Sequence, residues 1–264
     1  MHGLGAIDPG RTIDWGLTTE DYAKFRPGPP SSFYEKLKVL GVGLPNQSLL
    51  DLGTGTGVLA REFSKLGVKK VFGTDLSEVQ VKMAAELAEK EGLRAEFQQA
   101  SAEMQPFDDK EFDVVTANQC WLYFDKSKVI PEVKRLLRPG GLLVTSHFSW
   151  LPRLDAIARA SEELILKYNP QWTAANFSGE IPAFPKWAEG QFRLKAMFYY
   201  DELVPFDRDS WRGRIRACRG VGAALSADEV TRFDQEHDQL LQEKVEDKFT
   251  VLHRIDAHIL EPLD

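Results

Sequence analysis

The chain has 264 residues, a formal net charge of −7 and a sequence pI near 5.4. A protein that relies on phosphate contacts is normally basic, so this balance argues against duplex or long nucleic acid as a partner and favours a small molecule. Hydrophobic residues at 43% and charged residues at 28% are ordinary for a globular domain, and no apolar run approaches the ~20 residues of a membrane span.

The N-terminal Met1-His2-Gly3-Leu4-Gly5 has neither a basic head nor an apolar stretch, so no leader is expected. Two cysteines, Cys120 and Cys218, are too few for a disulfide framework, and a reducing cytoplasm is the simplest location.

In chain order, Ser48 to Leu52 is a short apolar run closed by glycines, which predicts a buried parallel strand. Val58 to Leu66 has helical spacing and stops at Gly67. Lys70 to Thr74 predicts a second strand ending at Asp75. Ser77 is the expected N-cap of a helix to about Lys90. Ala95 to Gln99 and Phe112 to Ala117 predict strands three and four. Val129 to Leu137 predicts a helix ended by Pro139-Gly140-Gly141, and Leu142 to His147 a fifth strand. Further on, Leu154 to Lys167 reads as helix and Asn169 to Pro185 as loop. Arg193 to Leu203 and Phe249 to Leu260 read as strands, with helices near 208–218 and 226–244 between them.

Strands alternating with helices at this spacing predict an α/β fold: a doubly wound, mostly parallel, seven-stranded Rossmann-like sheet with a helical cap. The chain reads as one domain over 1–264. Within it, 1–45 is an N-terminal helical cap segment, 46–150 the cofactor-binding core, and 151–264 the completion of the sheet, with 207–246 as a helical cap insertion. Ligands of such sheets bind beyond the carboxyl ends of the strands. Asp51, Asp75, Ser101, Asn118 and His147 all fall at or just after strand ends, which points to one shared site.

Gly53, Gly55 and Gly57 permit a tight turn and close backbone approach to a ligand at the start of a helix. Alone they are ambiguous. Gly55-x-Gly57-x-x-Ala60 also satisfies a relaxed dinucleotide fingerprint, and a plain strand–helix turn is the bland alternative. Asp51 discriminates, because an acid there suits a cationic amino group and repels a pyrophosphate. Asp75 can accept ribose hydroxyls in either cofactor class, or simply cap the next helix.

Leu49-Leu50-Asp51-Leu52-Gly53-Thr54-Gly55-Thr56-Gly57 resembles the first motif of the class I S-adenosylmethionine-dependent methyltransferases. Phe72-Gly73-Thr74-Asp75-Leu76-Ser77 resembles their acidic second motif. Ala100-Ser101-Ala102-Glu103-Met104-Gln105-Pro106-Phe107 resembles their adenine-contacting segment, with Ser101 where Asp is usual. Arg135-Leu136-Leu137-Arg138-Pro139-Gly140-Gly141 resembles the turn before their fifth strand. Asp21-Tyr22-Ala23-Lys24-Phe25-Arg26-Pro27 and Asn118 to Asp125 resemble segments of the small-molecule, trans-aconitate-methyltransferase-like (methyltransferase type 11) group.

The resemblance implies S-adenosyl-L-methionine as cofactor. It would be held by Tyr22, Arg26, Asp51, Gly53, Gly55, Gly57, Asp75, Leu76, Ser101, Ala102, Glu103 and Asn118, with Arg26 near the cofactor's carboxylate. Leu122 stands where the group usually has His, so a base at that position is missing. His147 is then the best candidate base, with Tyr123 and Trp121 beside it as catalytic-site aromatics. For each of the three, a structural role is the competing reading.

The segment Asp207 to Arg219 carries five arginines. Arg212, Arg216 and Arg219 share one helical face, and Arg214 turns another way. A solvated face paired with nearby acids is the bland reading. The sharper one has Arg214 or Arg216, with Trp150 and Trp211, binding an anionic substrate group. His253 and His258 lie five apart on a predicted strand and face opposite sides, so no metal site is expected. An NAD(P)-dependent oxidoreductase and a non-catalytic cofactor-binding protein are the rival functions. The oligomeric state and the acceptor atom are open.

Overall fold

The computed structural model describes residues 7–8 and 12–263. The leader expectation, and His2, lie outside the described residues. The seven strands are β1 (Ser48–Leu52), β2 (Lys70–Asp75), β3 (Ala95–Gln99), β4 (Phe112–Asn118), β5 (Leu137–Trp150), β6 (Phe192–Asp207) and β7 (Lys248–Pro262). The α-helices among the described residues are α1 (Thr19–Phe25), α2 (Ser31–Val39), α3 (Val58–Lys65), α4 (Glu78–Lys90), α5 (Lys126–Leu136), α6 (Ala156–Tyr168), α7 (Arg208–Arg216) and α8 (Ala227–Lys244).

The strands form one sheet in the order β3-β2-β1-β4-β5-β7-β6, in which β3, β2, β1, β4 and β5 pair in parallel. This is the doubly wound, mostly parallel Rossmann-like sheet that the alternation predicts. Strand order reverses between β1 and β4, the switch point beside which such sheets bind ligands.

Two compact units divide the chain. One takes residues 28–148, 181–199 and 255 onward; the other takes the chain up to Pro27 with 149–180 and 200–254. The first holds the body of the sheet. All five residues of β1 are buried, as a central strand covered on both faces requires. Leu50, Leu52, Val115, Ala117, Leu143, Val133 and Leu136 form its main core, where Phe72, Phe107 and Phe112 meet edge to face at 5.0 to 5.9 Å. In α4, Gln80, Ala84 and Ala88 recur every four residues as the buried stripe, and the small alanines suit close seating.

Two boundaries differ from the sequence expectation. Helix α5 begins at Lys126 because the Asp125 side chain accepts the Ser127 N–H and caps it, so Pro131 lies inside the helix rather than near its start. Strand β5 begins at Leu137. The expected Pro-Gly-Gly turn is instead a bulge: Phe112 pairs with Leu137 and Val114 with Leu142, and Gly140 (φ 77°) takes up the slack.

In the second unit α1 packs on α7, and both α6 and α7 pack on α8. Helices α7 and α8 each open on a reciprocal capping box, Asp207 with Ser210 and Ser226 with Glu229. Gly213 lets α1 approach α7, since a Cβ there would lie 2.1 Å from the Phe25 ring.

Candidate functional site

The first unit gathers most of the predicted cofactor residues at the carboxyl edge of β1, β2 and β4. After β1 the chain turns with Gly53 (φ 62°) and Gly55 (φ 57°) in the left-handed region, and Gly57 (φ 75°) leads into α3. Asp51 lies beneath this loop and is 2% exposed. Thr54 Oγ1 donates to its Oδ2 at 2.7 Å and Thr116 Oγ1 to its Oδ1 at 2.6 Å. Burial nonetheless lifts its pKa from 3.8 to about 6; the two hydroxyls pull it down, and the Asp75 charge pushes it up further.

Asp75 ends β2 and binds the loop from the other side. Its Oδ2 accepts the Gly55 N–H and its Oδ1 the Ser77 N–H, both at 2.9 Å. Burial raises its pKa as well, against those backbone donors. Among the described residues neither acid forms an ion pair with a lysine, arginine or histidine. The donor set therefore suits a ligand that brings its own positive charge and hydroxyl donors.

The side chain of Leu76, next to Asp75, is exposed. Ser101 follows β3. Its hydroxyl donates to Glu103 Oε2 at 2.5 Å and accepts the Glu103 N–H at 3.3 Å, while Ala102 is buried. The other oxygen of Glu103 accepts the Asp125 N–H at 2.9 Å, so this segment is braced to the start of α5. Asn118 ends β4 and accepts from Ser146 Oγ at 3.1 Å. Gln119 follows in the left-handed region at φ 66°.

His147 lies on β5 one residue past Ser146, the register partner of Asn118. Its Nδ1 is 3.0 Å from Asp256 Oδ2. The Asp256 side chain is 2% exposed and that of His147 39%, so a sealed acid holds a histidine whose ring still reaches solvent. Asp256 was not among the sequence candidates. Its only signal is an acid in the apolar run Ile255-Asp256-Ala257, a placement that requires a polar partner.

The aromatics nearby divide. Trp121 is buried in the core against Trp187, with ring centroids 4.7 Å apart. Tyr123 closes a short 3₁₀ turn, Trp121–Tyr123, and is half-buried.

The remaining candidates belong to the second unit. Tyr22 lies on α1, and the Arg26 guanidinium that ends this helix stacks 4.4 Å from its ring centroid. Trp211 is 0% exposed and donates to Ser161 Oγ at 3.0 Å, which leaves it no face for a substrate. Trp150 donates to Glu162 Oε1 at 2.6 Å and carries the Arg214 guanidinium 4.8 Å from its ring centroid. Arg216 is held between Asp21 (2.8 Å) and Asp234 (2.5 Å). Arg212 also pairs with Asp234, as a shared helical face predicts. Arg212 and Arg216 are thus paired with acids, as one of the two readings expected, though on a largely buried face rather than a solvated one.

Residues 50–145 match the family described as "Methyltransferase domain". With the seven-stranded topology, this match makes residues 50–145 similar to the class I S-adenosylmethionine-dependent methyltransferases, the class its motifs resemble.

Among curated relatives, the chain is 36% identical over 119 residues to the ribosomal protein L11 methyltransferase of Dictyoglomus thermophilum (45% of this chain, 38% of that one). It is 36% identical over 110 residues to a sterol 24-C-methyltransferase of Gibberella zeae (40% and 28%). It is also 36% identical over 119 residues to the ubiquinone/menaquinone biosynthesis C-methyltransferase UbiE of Escherichia coli (43% and 47%). The matches span less than half the length of each of these relatives. Solved structures of similar fold include YjhP from Escherichia coli (TM-score 0.56, 17% identity, 94% of this chain and 99% of that one). Another is YcgJ from Bacillus subtilis (TM-score 0.52, 22% identity, 86% and 97%). Among the described residues, no helix is long and apolar enough to cross a membrane.

Proposed function

We infer that the protein transfers a methyl group from S-adenosylmethionine to a small-molecule acceptor carrying an anionic group. The observation that carries the reading is the pair of buried acids, Asp51 and Asp75, flanking a left-handed glycine loop with no ion-paired lysine, arginine or histidine among the described residues. Asp51 would stabilise the cofactor's ammonium, Asp75 would accept from its ribose, and the exposed Leu76 would pack on its adenine. The peptide N–H groups at the start of α3 would face its polar end.

The relatives named for sterol and quinone substrates support a small acceptor. The one named for a ribosomal protein aligns over 119 residues, a length like that of the others. The acidic net charge speaks against nucleic acid.

When bound, the cofactor supplies a methyl group already made electrophilic by the adjacent sulfonium. The protein's work is then alignment of the acceptor and exclusion of water. An acceptor protonated at working pH also needs a base. His147 supplies it: with Nδ1–H donating to the Asp256 carboxylate, Nε2 is the free acceptor of a proton. Asp256 fixes that tautomer and stabilises the imidazolium once formed.

Calorimetric titration with S-adenosylhomocysteine and with NADH tests the cofactor. Micromolar binding of the first is expected, and binding of NADH alone would refute the reading. A metabolite screen for methyl transfer then identifies the acceptor.

A further inference from the structure

Strand β4 keeps its hold on β5 for one residue past its last register pair, Asn118 with Ser146. The Gln119 N–H donates to the Ser146 carbonyl at 2.9 Å, as a continuing parallel ladder requires. There the backbone turns away. Gln119 takes φ 66°, and the chain enters the 3₁₀ turn Trp121–Tyr123.

Acceptors on one edge of a parallel strand recur every second residue, so the next one on β5 is the Phe148 carbonyl. A straight β4 would meet it with the N–H of residue 121. Instead the Gln119 side chain folds back, and its Nε2 donates to the Phe148 carbonyl. One residue therefore holds the two carbonyls that flank His147.

Strand β5 lies between β4 and β7 in the sheet. From the β7 side, Asp256 holds the His147 ring at Nδ1, 3.0 Å away. Gln119 thus grips the main chain around His147 from one neighbouring strand, and Asp256 grips the ring from the other. Gln119, Ser146, His147, Phe148 and Asp256 all belong to the first compact unit.

The left-handed backbone costs glutamine more than it would glycine or asparagine. Neither of those could do the same work, since glycine has no amide and asparagine is one methylene shorter. Ionised glutamate has the reach but no N–H, and would set a charge against a carbonyl. Strain of this kind persists where the surrounding structure holds it, and it gathers at functional sites.

We propose that Gln119 is a positioning residue for methyl transfer: it fixes the segment of β5 from which His147 presents Nε2 to the acceptor. The proposal rests on the reading of His147 as the base. Misplacing a reacting group by ~1 Å can cost about a hundredfold in rate, and the partly exposed His147 ring is not fixed by burial.

The test uses the full chain carrying Gln119→Gly or Gln119→Asn, each made in the wild type and in the His147→Gln background. Both substitutions suit the left-handed backbone and remove the reach of the amide. With the acceptor found by the metabolite screen, each should lower kcat about tenfold in otherwise wild-type protein. The acceptor KM and the Kd for S-adenosylhomocysteine should stay within about twofold of wild type. In the His147→Gln background the same changes should alter the residual rate by less than about twofold, because the group they position is gone. A purely structural residue would cost the same in both backgrounds.

A second readout needs no turnover. The Nδ1–H resonance of His147 in the free protein, assigned by its loss in His147→Gln, should exchange with water about tenfold faster in both Gln119 variants. Wild-type kcat in both variants, an equal loss in the His147→Gln background, or exchange as slow as in wild type would each overturn the proposal. A loss confined to S-adenosylhomocysteine affinity would give Gln119 to the cofactor and overturn it too. An unchanged kcat in His147→Gln alone is the failure of the base reading, and proton exchange then decides by itself whether Gln119 holds the ring. Should Gln119→Gly not fold, Gln119→Asn carries the same comparison.

Discussion

The buried Asp51 makes cofactor affinity depend on pH in a calculable way. Its pKa of about 6 in the free protein lies roughly two units above the ordinary 3.8, which corresponds to about 3 kcal/mol against the ionised form. A folded-state pKa raised in this way contributes stability below pH ~4, and that contribution is lost as the pH rises through 6. An ammonium held by the ionised carboxylate reverses the preference, so binding must expel the proton wherever Asp51 carries one. At pH 5 about nine molecules in ten carry it and at pH 7 about one in ten, so affinity for S-adenosylhomocysteine should rise about tenfold between them. Near pH 6 each binding event should release about half a proton. Calorimetry in two buffers of different ionisation enthalpy measures both quantities, since the ligand's amino group stays protonated across this range. Asp51→Asn, which can never carry the charge, should bind at pH 7 more weakly than wild type does at pH 5, and with little pH dependence. A flat wild-type profile, or an unchanged slope in Asp51→Asn, would refute the assignment of that charge to the cofactor.

Three further outcomes follow from other parts of the structure. His147→Gln should lower kcat by about a hundredfold or more on the identified acceptor. Asp256→Asn, which removes the carboxylate that orients the ring, should cost less; an unchanged kcat in His147→Gln would remove the base. Gly213→Ala should destabilise the protein by about 1–3 kcal/mol in denaturant titration, because its methyl would meet Phe25, and Phe25→Leu should recover part of the loss. Asp234→Asn leaves Arg212 short of one partner and Arg216 short of one of its two, so a loss of about 1–3 kcal/mol is expected by the same titration. A value near zero would show those bridges to be surface decoration.

Much of the parallel core was legible because its signals are local. An apolar run ending in an acid and glycines marks β1, and Ser77 caps α4 as its chemistry suggests. Where a boundary moved, a tertiary register took precedence over a local cue: β4 pairs with Leu137, so the Pro-Gly-Gly element becomes a bulge within β5. Helical spacing put Arg212 and Arg216 together, and both meet Asp234. Spacing could not show which arginine lacks an acid, because Asp21 and Asp8 lie far upstream in the chain. Asp256 could not be matched to His147 for the same reason, since the adjacency of β7 to β5 brings together residues 109 apart.

The Arg216–Asp21 bridge joins residues 195 apart in sequence. During synthesis at ~5–20 residues per second, Asp21, Tyr22 and Arg26 would wait roughly 10–40 s for α7 to be made. Residues 28–148, which contain the glycine loop, β1 to β4 and the start of β5, are complete long before that. The nascent chain would then hold the glycine loop with Asp51 and Asp75 while the Arg216–Asp21 bridge is still incomplete. Ribosome-bound chains stalled near residue 150 offer a direct view of that order.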